Sequence, residues 1–427
     1  MAYTKTFIPY GGYWSSPFAR WQGSFANLHT LKFAADVTRK ALAARNISPK
    51  TFSNLYLGLT IPAPQSFYGA PWLAGMIGAE GVTGPVFSQA CATSARVIGS
   101  AAAEIESSDG TRNTEQVDKY TRTQVNNGTS RSIPVGRNTI LCITADRTSN
   151  GPHLLYPNPL SPGGRGDAED WVWDNFNRDP FAGNTMLMTA ENVAKEAVIS
   201  TAEQHEVVLM RYAQYQKALD NGAAFHKLYM MPVEVNPSGR KVIATVTDDE
   251  GIFPSTAEGL AKLKPVMPDG TVTFGGQTFP ADGNAGMIVT TREKARELSR
   301  DSKIEIQLLS FNEGRTAKGF MPKANLPAAR GALEQAGVDL KNIKAIKTHN
   351  PFAVNDIFLS RELGVPLDKM NNYGSSLIWG HPQGPTGTRL IIELIEELVL
   401  LGGGYGLFTG CAAGDTAAAI VLEVHAG

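Results

Sequence analysis

Pro85-Val-Phe-Ser-Gln-Ala-Cys91-Ala-Thr-Ser-Ala-Arg-Val-Ile-Gly-Ser-Ala-Ala-Ala-Glu104 sets a short apolar run, a turn of small residues and an Ala-rich segment in direct succession. From Thr93 onward the apolar positions recur at helical spacing with no proline to break them, so the stretch predicts strand, turn and helix. Cys91 then stands at or just before a helix N-terminus, where unpaired N–H groups and the dipole favour negative charge. A thiol there is expected to have a lowered pKa and nucleophilic thiolate character. A free cysteine packed as a small hydrophobe produces the same pattern. Partners from elsewhere in the chain must decide.

Working outward, residues 30–45 carry Phe33, Ala34, Val37, Ala41 and Ala44 on one helical face, opposite Lys32, Asp36 and Arg39. Asn54-Leu-Tyr-Leu-Gly58 reads as a buried strand, and a short helix is expected near 71–77. Helix, strand, strand, turn, helix is the rhythm of an α/β fold around a largely buried sheet. Residues 108–137 are polar and break that rhythm, as a surface or oligomer-contact element would. Cys142 falls in the middle of the next strand and reads as a packed thiol. Residues 146–185 are loop-like, with Trp171, Trp173 and Phe176 either lining a ligand tunnel or filling a small lid. Helices are expected from 189 and over 202–220, a strand pair around Pro237-Ser-Gly-Arg240, and a Gly-rich loop over 273–284.

A second α/β run begins near 303. The strand at 343–347 runs into Thr348-His349-Asn350-Pro351-Phe352, and Gly380-His381-Pro382-Gln-Gly384-Pro-Thr-Gly387-Thr-Arg389 precedes an apolar helix at 390–401. A strand at 407–409 delivers Gly410-Cys411-Ala-Ala-Gly-Asp415, and 417–424 forms a last strand. The halves echo each other in rhythm, though not in identity.

Composition narrows the function classes. The 427 residues exceed one typical domain, and 42% hydrophobic with 19% charged residues is the balance of a soluble globular protein. A net charge of -1 gives no electrostatic case for nucleic acid or an acidic membrane surface. Three cysteines, an odd and sparse set, argue for a reducing compartment and against a disulfide framework. With no signal-like start and no long apolar run, the expected location is cytoplasmic.

Cys91, His349, His381 and Cys411 all fall at strand ends or helix starts, positions that converge on one edge of a parallel sheet. Together they supply a thiol nucleophile, an imidazole to activate it, a second imidazole for an oxyanion, and a second thiol as acid/base. None of them has metal-ligand spacing, which argues against a metal site. No phosphate-binding G-x-x-x-x-G-K-[ST] loop or G-x-S-x-G elbow occurs, and the glycines at 402–406 follow a helix, the wrong context for a dinucleotide fingerprint.

These residues resemble the thiolase family. Gly380 to Arg389 is similar to the family's G-H-P-x-G-x-T/S-G-x-R, Cys91 with its small-residue helix to its nucleophile motif, and Met186-Leu-Met-Thr-Ala-Glu-Asn-Val-Ala194 to its M-x-x-T-A-E-N-V-A run. The resemblance covers the chain outside about 108–137. It implies a five-layer α-β-α-β-α sandwich: a first half at 1–150 completed by about 278–300, a loop domain at 151–277 covering CoA, and a second half at 301–427. It implies Cys91 as acyl acceptor, His381 as its activator, His349 on the enolate oxygen, and Cys411 moving the proton at the α-carbon or on the CoA thiol. Backbone N–H groups of Cys91 and Ala413 would hold the tetrahedral oxyanion, and Thr278, Gly384, Trp171 and Trp173 would contact substrate. CoA and acyl-CoA are implied as substrates, with no cofactor, and a homodimer or homotetramer as the assembly.

The chain departs from the family at His349-Asn-Pro-Phe352, where most relatives have Asn-Glu-Ala-Phe, and at Cys411-Ala-Ala-Gly, where they have Cys-x-Gly-Gly. A second cysteine favours a non-decarboxylating thiolase, with acetoacetyl-CoA and acetyl-CoA expected first. Longer, branched or aromatic β-ketoacyl-CoA is the alternative, and a catalytically idle acyl-CoA-binding scaffold is the reading from another class.

Overall fold

A computed structural model gives the fold and describes residues 2–108 and 138–427; most of the polar stretch at 108–137 lies outside the described residues. The chain opens with short strands β1 (Phe7–Ile8), β2 (Tyr13–Ser15) and β3 (Ala19–Arg20), then α1 (Thr30–Ala44). This helix buries Phe33, Ala34, Val37 and Ala41 and leaves Lys32 and Arg39 exposed, as its periodicity requires. There follow β4 (Asn54–Gly58), α2 (Gly69–Met76), β5 (Val86–Phe87), α3 (Thr93–Ser107) and β6 (Thr139–Arg147). The loop-like stretch at 146–185 contains a hairpin, β7 (His153–Tyr156) with β8 (Asp167–Asp170), and α4 (Trp171–Asn177). Side-chain caps start the helices here: Asp170 caps α4, Thr185 caps α5 (Met186–Glu196), and a Ser200–Glu203 capping box opens α6 (Thr201–Ala223).

The hairpin of β9 (Val233–Val235) and β10 (Ala244–Val246) and the short α7 (Ala257–Ala261) lead to β11 (Ala281–Thr290) and α8 (Arg292–Leu298). The second run comprises β12 (Glu305–Arg315), α9 (Asn325–Ala336), β13 (Ile343–His349), α10 (Ala353–Leu363), α11 (Ser376–Trp379), α12 (Gly384–Leu400), β14 (Gly404–Ala412) and β15 (Thr416–His425).

The main sheet runs β13-β14-β15-β12-β1-β11-β6-β4-β5, with β2 and β3 also on β11. From its centre the order in the first half is first strand, last, fourth, second, third (β1, β11, β6, β4, β5). The second half repeats it as β12, β15, β14, β13, with Met370 bridged to Ile346 where the third strand would stand. The echo seen in the sequence is thus a repeated topology. The sheet is mixed rather than parallel: β4 pairs in parallel with β5 and β6, and β13 with β14, while β11 and β15 return antiparallel. Gly414 and Asp415 both take positive φ, which lets β14 reverse directly into β15.

Helices α3 and α12 pack on each other and touch strands of both halves; α1 and α2 cover the outer face of the first half and α9 that of the second. These are the five layers. Gly387 of α12 permits the central contact, because a Cβ there would lie 2.9 Å from the Ser94 Cβ of α3. Helix α12 begins at Gly384, six residues earlier than its apolar run indicates, since proline is tolerated in a first turn. It buries Arg389, Glu393, Glu396 and Glu397 as well as its aliphatic face. Among the described residues no helix is long and apolar enough to cross a membrane.

Candidate active site

Both central helices aim their N-termini at one place. Cys91 stands two residues before the start of α3, with Ala92 between, and His381 precedes α12. His349 is the last residue of β13, paired with Gly410 of the parallel β14, and Cys411 is the next residue of β14 rather than part of the turn after it. The first half reaches in as well: His381 N–H donates to the Phe279 carbonyl at 2.9 Å, just before β11.

The side chains meet there. Cys91 Sγ lies 3.1 Å from His381 Nε2, and His381 Nδ1 lies 2.6 Å from Thr386 Oγ1. With its Nδ1–H donated to Thr386, the ring turns the Nε2 lone pair to the thiol, the arrangement of a general base. The His349 and His381 rings stack with centroids 4.1 Å apart. His349 Nδ1 is 2.8 Å from Ser376 Oγ, while its buried Nε2 has no partner. Cys411 is fully buried and its sulfur accepts from Asn355 Nδ2 at 3.2 Å. Cys91 Sγ also lies 3.2 Å from Gln383 Oε1.

Electrostatics correct one expectation. The Cys91 thiol is pushed up to about 12, not lowered, because burial outweighs the backbone N–H groups of Ala413 and Cys91 that pull the other way. Burial likewise takes His381 down to about 3, with Gln383 opposing, and His349 well below its ordinary range, with His381 adding to the effect. Burial also raises the Cys411 thiol well above its ordinary value, and charge on Cys91 raises it further. The resting site is therefore two neutral thiols and two neutral imidazoles.

Separation in sequence, which argued against a metal site, does not keep these residues apart in space. One sulfur and two imidazole nitrogens from Cys91, His349 and His381 lie within 4.8 Å of one another, a donor set that zinc would accept.

The four residues expected to contact substrate have these surroundings. Gly384 is buried, and its N–H donates to Asp146 Oδ2 at 2.8 Å while its carbonyl accepts from Ser94, so it braces α12 against β6 and α3. The Thr278 hydroxyl donates to the Ser376 carbonyl and steadies the residue beside His349. The Trp171 indole donates to the Thr60 carbonyl at 3.0 Å, and Trp173 is 68% exposed. Sequence reasoning missed Gln383, Thr386, Ser376, Asn355 and Asp146. The first two stand inside the quoted Gly380–Arg389 stretch, but nothing local marks the others.

The family model for the thiolase N-terminal domain matches residues 160–293, and that for the thiolase C-terminal domain matches residues 303–424, together well over half of the chain. The chain belongs to the thiolase family. His349, His381 and Cys411 lie within the second match, whereas Cys91 lies outside both.

Similar curated proteins include the human mitochondrial trifunctional enzyme subunit beta, 32% identical over 260 residues, which are 56% of this thiolase-family chain and 53% of that protein. The beta-ketothiolase BktB of Cupriavidus necator is 32% identical over 57% of the chain and 61% of its own length. The acetyl-CoA acetyltransferase of Syntrophomonas wolfei is 31% identical over 60% and 63%. The chain thus spans about half to three fifths of the length of these curated relatives. Among solved structures, human mitochondrial 3-ketoacyl-CoA thiolase in complex with CoA superposes with a TM-score of 0.83, 23% identity and 99% coverage of both chains. The Bacillus anthracis acetyl-CoA acetyltransferase gives 0.83, 24% and 99% of both. These two show that the described residues have the thiolase fold.

Proposed function

We propose that this chain is an acyltransferase that passes an acyl group between CoA and a β-ketoacyl-CoA through an acyl-Cys91 intermediate, acetyl-CoA and acetoacetyl-CoA being the first substrates to test. The observation that carries this reading is the convergence of Cys91 Sγ with one ring nitrogen each of His349 and His381 within 4.8 Å, His381 presenting Nε2 at 3.1 Å and His349 keeping a buried Nε2 without a partner.

In the condensing direction the Cys91 proton passes to His381 Nε2 as sulfur attacks the first thioester carbon. The N–H groups of Cys91 and Ala413, which pull the Cys91 thiol down against burial, receive the oxyanion. The departing CoA sulfur takes the Cys411 proton. Cys411, now a thiolate, removes the α-proton of the second acetyl-CoA, and His349 donates to the enolate oxygen. The enolate carbon attacks acyl-Cys91, whose sulfur leaves and recovers its proton from His381. Every proton returns, and a neutral resting Cys411 suits the cycle in either direction.

The test is mass spectrometry of protein incubated with acetyl-CoA, together with exchange of acetyl-CoA α-protons into deuterated solvent. Cys91→Ala should take no acetyl group. Cys411→Ala should still be acetylated, more slowly, yet neither exchange α-protons nor form acetoacetyl-CoA. Wild-type protein that takes no adduct is a scaffold, and a Cys411→Ala enzyme that condenses at the wild-type rate has no need of the second thiol. Comparing thiolysis of acetoacetyl-CoA with that of an aromatic β-ketoacyl-CoA sets the substrate size.

A further inference from the structure

Gln383 is an unusual residue to find beside the nucleophile. It sits at φ 61°, ψ −110°, a left-handed backbone conformation that side chains other than glycine rarely adopt. It is 5% exposed, and its amide oxygen is 3.2 Å from Cys91 Sγ. Its amide nitrogen is buried with no partner.

With His381 in the tautomer that donates Nδ1–H to Thr386, the protons around the sulfur do not suit this orientation. Cys91 has one S–H, and two acceptors face it: His381 Nε2 at 3.1 Å and Gln383 Oε1 at 3.2 Å. In that tautomer the sulfur can satisfy only one of them; the Gln383 oxygen also reaches His381, but the two amide hydrogens of the same side chain are buried and idle. Once the proton has passed to His381, a carbonyl oxygen would face a thiolate with no hydrogen between them. Turning the amide by half a rotation removes each conflict at the sulfur, and the oxygen and nitrogen of an amide are told apart only by such a network. The Gln383 N–H then points at sulfur, and the S–H points at His381 Nε2.

We propose that Gln383 is a further catalytic residue, whose side-chain N–H donates to Cys91 sulfur and holds the thiolate as it forms and as it leaves. With the Ala413 and Cys91 N–H groups it completes a set of neutral donors around a sulfur that burial otherwise keeps protonated. The strained backbone at Gln383 places the donor, since the residue lies in the two-residue gap between His381 and the first turn of α12.

The proposal rests on Cys91 being the nucleophile, and the test separates the two ideas. Alkylation of Cys91 by iodoacetamide is followed by mass spectrometry as a function of pH, in wild-type, Gln383→Met and Gln383→Glu protein, with Cys91→Ala as the blank. A wild-type Cys91 that does not react overturns the reading of the nucleophile itself. Given a reactive wild type, loss of one hydrogen bond to a charged group should slow Gln383→Met about tenfold or more at pH 7 and move its pH curve up by about one unit. Gln383→Glu, which loses the donor and adds negative charge, should be slower still. Melting temperatures close to wild type show that the fold is kept, and either variant suffices if the other does not fold. A Met variant that reacts as fast as wild type, or faster, overturns the proposal, because an accepting Gln383 would hold the proton on sulfur and its loss would release it. A Glu variant that matches wild type overturns it as well.

Discussion

Replacing Asp249 by Asn should cost this protein about 3–5 kcal/mol, although Asp249 lies far in sequence from every residue of the proposed chemistry. Arg389, the last residue of the Gly380–Arg389 stretch, donates Nη1 and Nη2 to the two Asp249 oxygens at 2.6 and 2.8 Å and Nε to Glu393 at 3.0 Å. All three side chains are fully buried, and the guanidinium lies 4.4 Å from the Trp379 ring centroid and 5.0 Å from that of Phe18. Asp249 follows β10, so this pair clamps the segment after β10 onto α12, which begins three residues after His381. Asparagine preserves shape but leaves a buried cation with one shared carboxylate. For 427 residues the unfolding entropy is roughly 0.9 kcal/mol per degree, so the loss is a fall in Tm of roughly 3–6 °C.

The pH dependence has a definite sign. Burial works to raise the Asp249 carboxyl, but the charge and hydrogen bonds of Arg389 outweigh it and hold the group below its ordinary value. A depressed carboxyl stabilises the fold above its unfolded pKa of about 3.9 and loses that contribution as pH falls through the folded value. The Tm gap between wild type and Asp249→Asn should thus be full at pH 6–7 and close only in strongly acid buffer. Scanning calorimetry at several pH values measures it, with the double variant Arg389→Met/Asp249→Leu as the control. An apolar pair is often neutral where a broken ion pair is costly, so the double variant should be the more stable of the two. A Tm loss below about 1 °C in Asp249→Asn, or a double variant no better than the single, would refute the clamp.

Two further outcomes test the site. His349→Ala should lower condensation about 10²–10³-fold while Cys91 remains open to iodoacetamide, and His349→Asn should retain more activity; equal loss in both would remove the oxyanion role. Because His381 is held down to about 3 and Cys91 up to about 12, single-turnover acylation by acetyl-CoA should show no acid limb near pH 6.5, the ordinary imidazole range. A half-maximal point near pH 6.5 in stopped-flow acylation would mean that His381 titrates as a solvent-exposed imidazole.

The family and the four candidate positions were legible in the sequence because they lie in short runs whose local grammar survives alone. The examples are small residues around Cys91, glycines and proline around His381, and an apolar strand ending on His349. The repeated half was audible as a rhythm, since strand and helix periodicities are local properties. What surrounds the sulfur was not legible. Asp146, Asn355 and Ser376 are separated from Cys91 by long stretches of chain, and only the closing of both halves over α3 and α12 makes them neighbours of the site. Protonation followed the same division. A helix N-terminus read from sequence predicts a lowered thiol pKa, but the desolvation that raises it is a property of the packed interior. Charge near a residue can be guessed along a chain, whereas the water removed from it is decided only when the layers close.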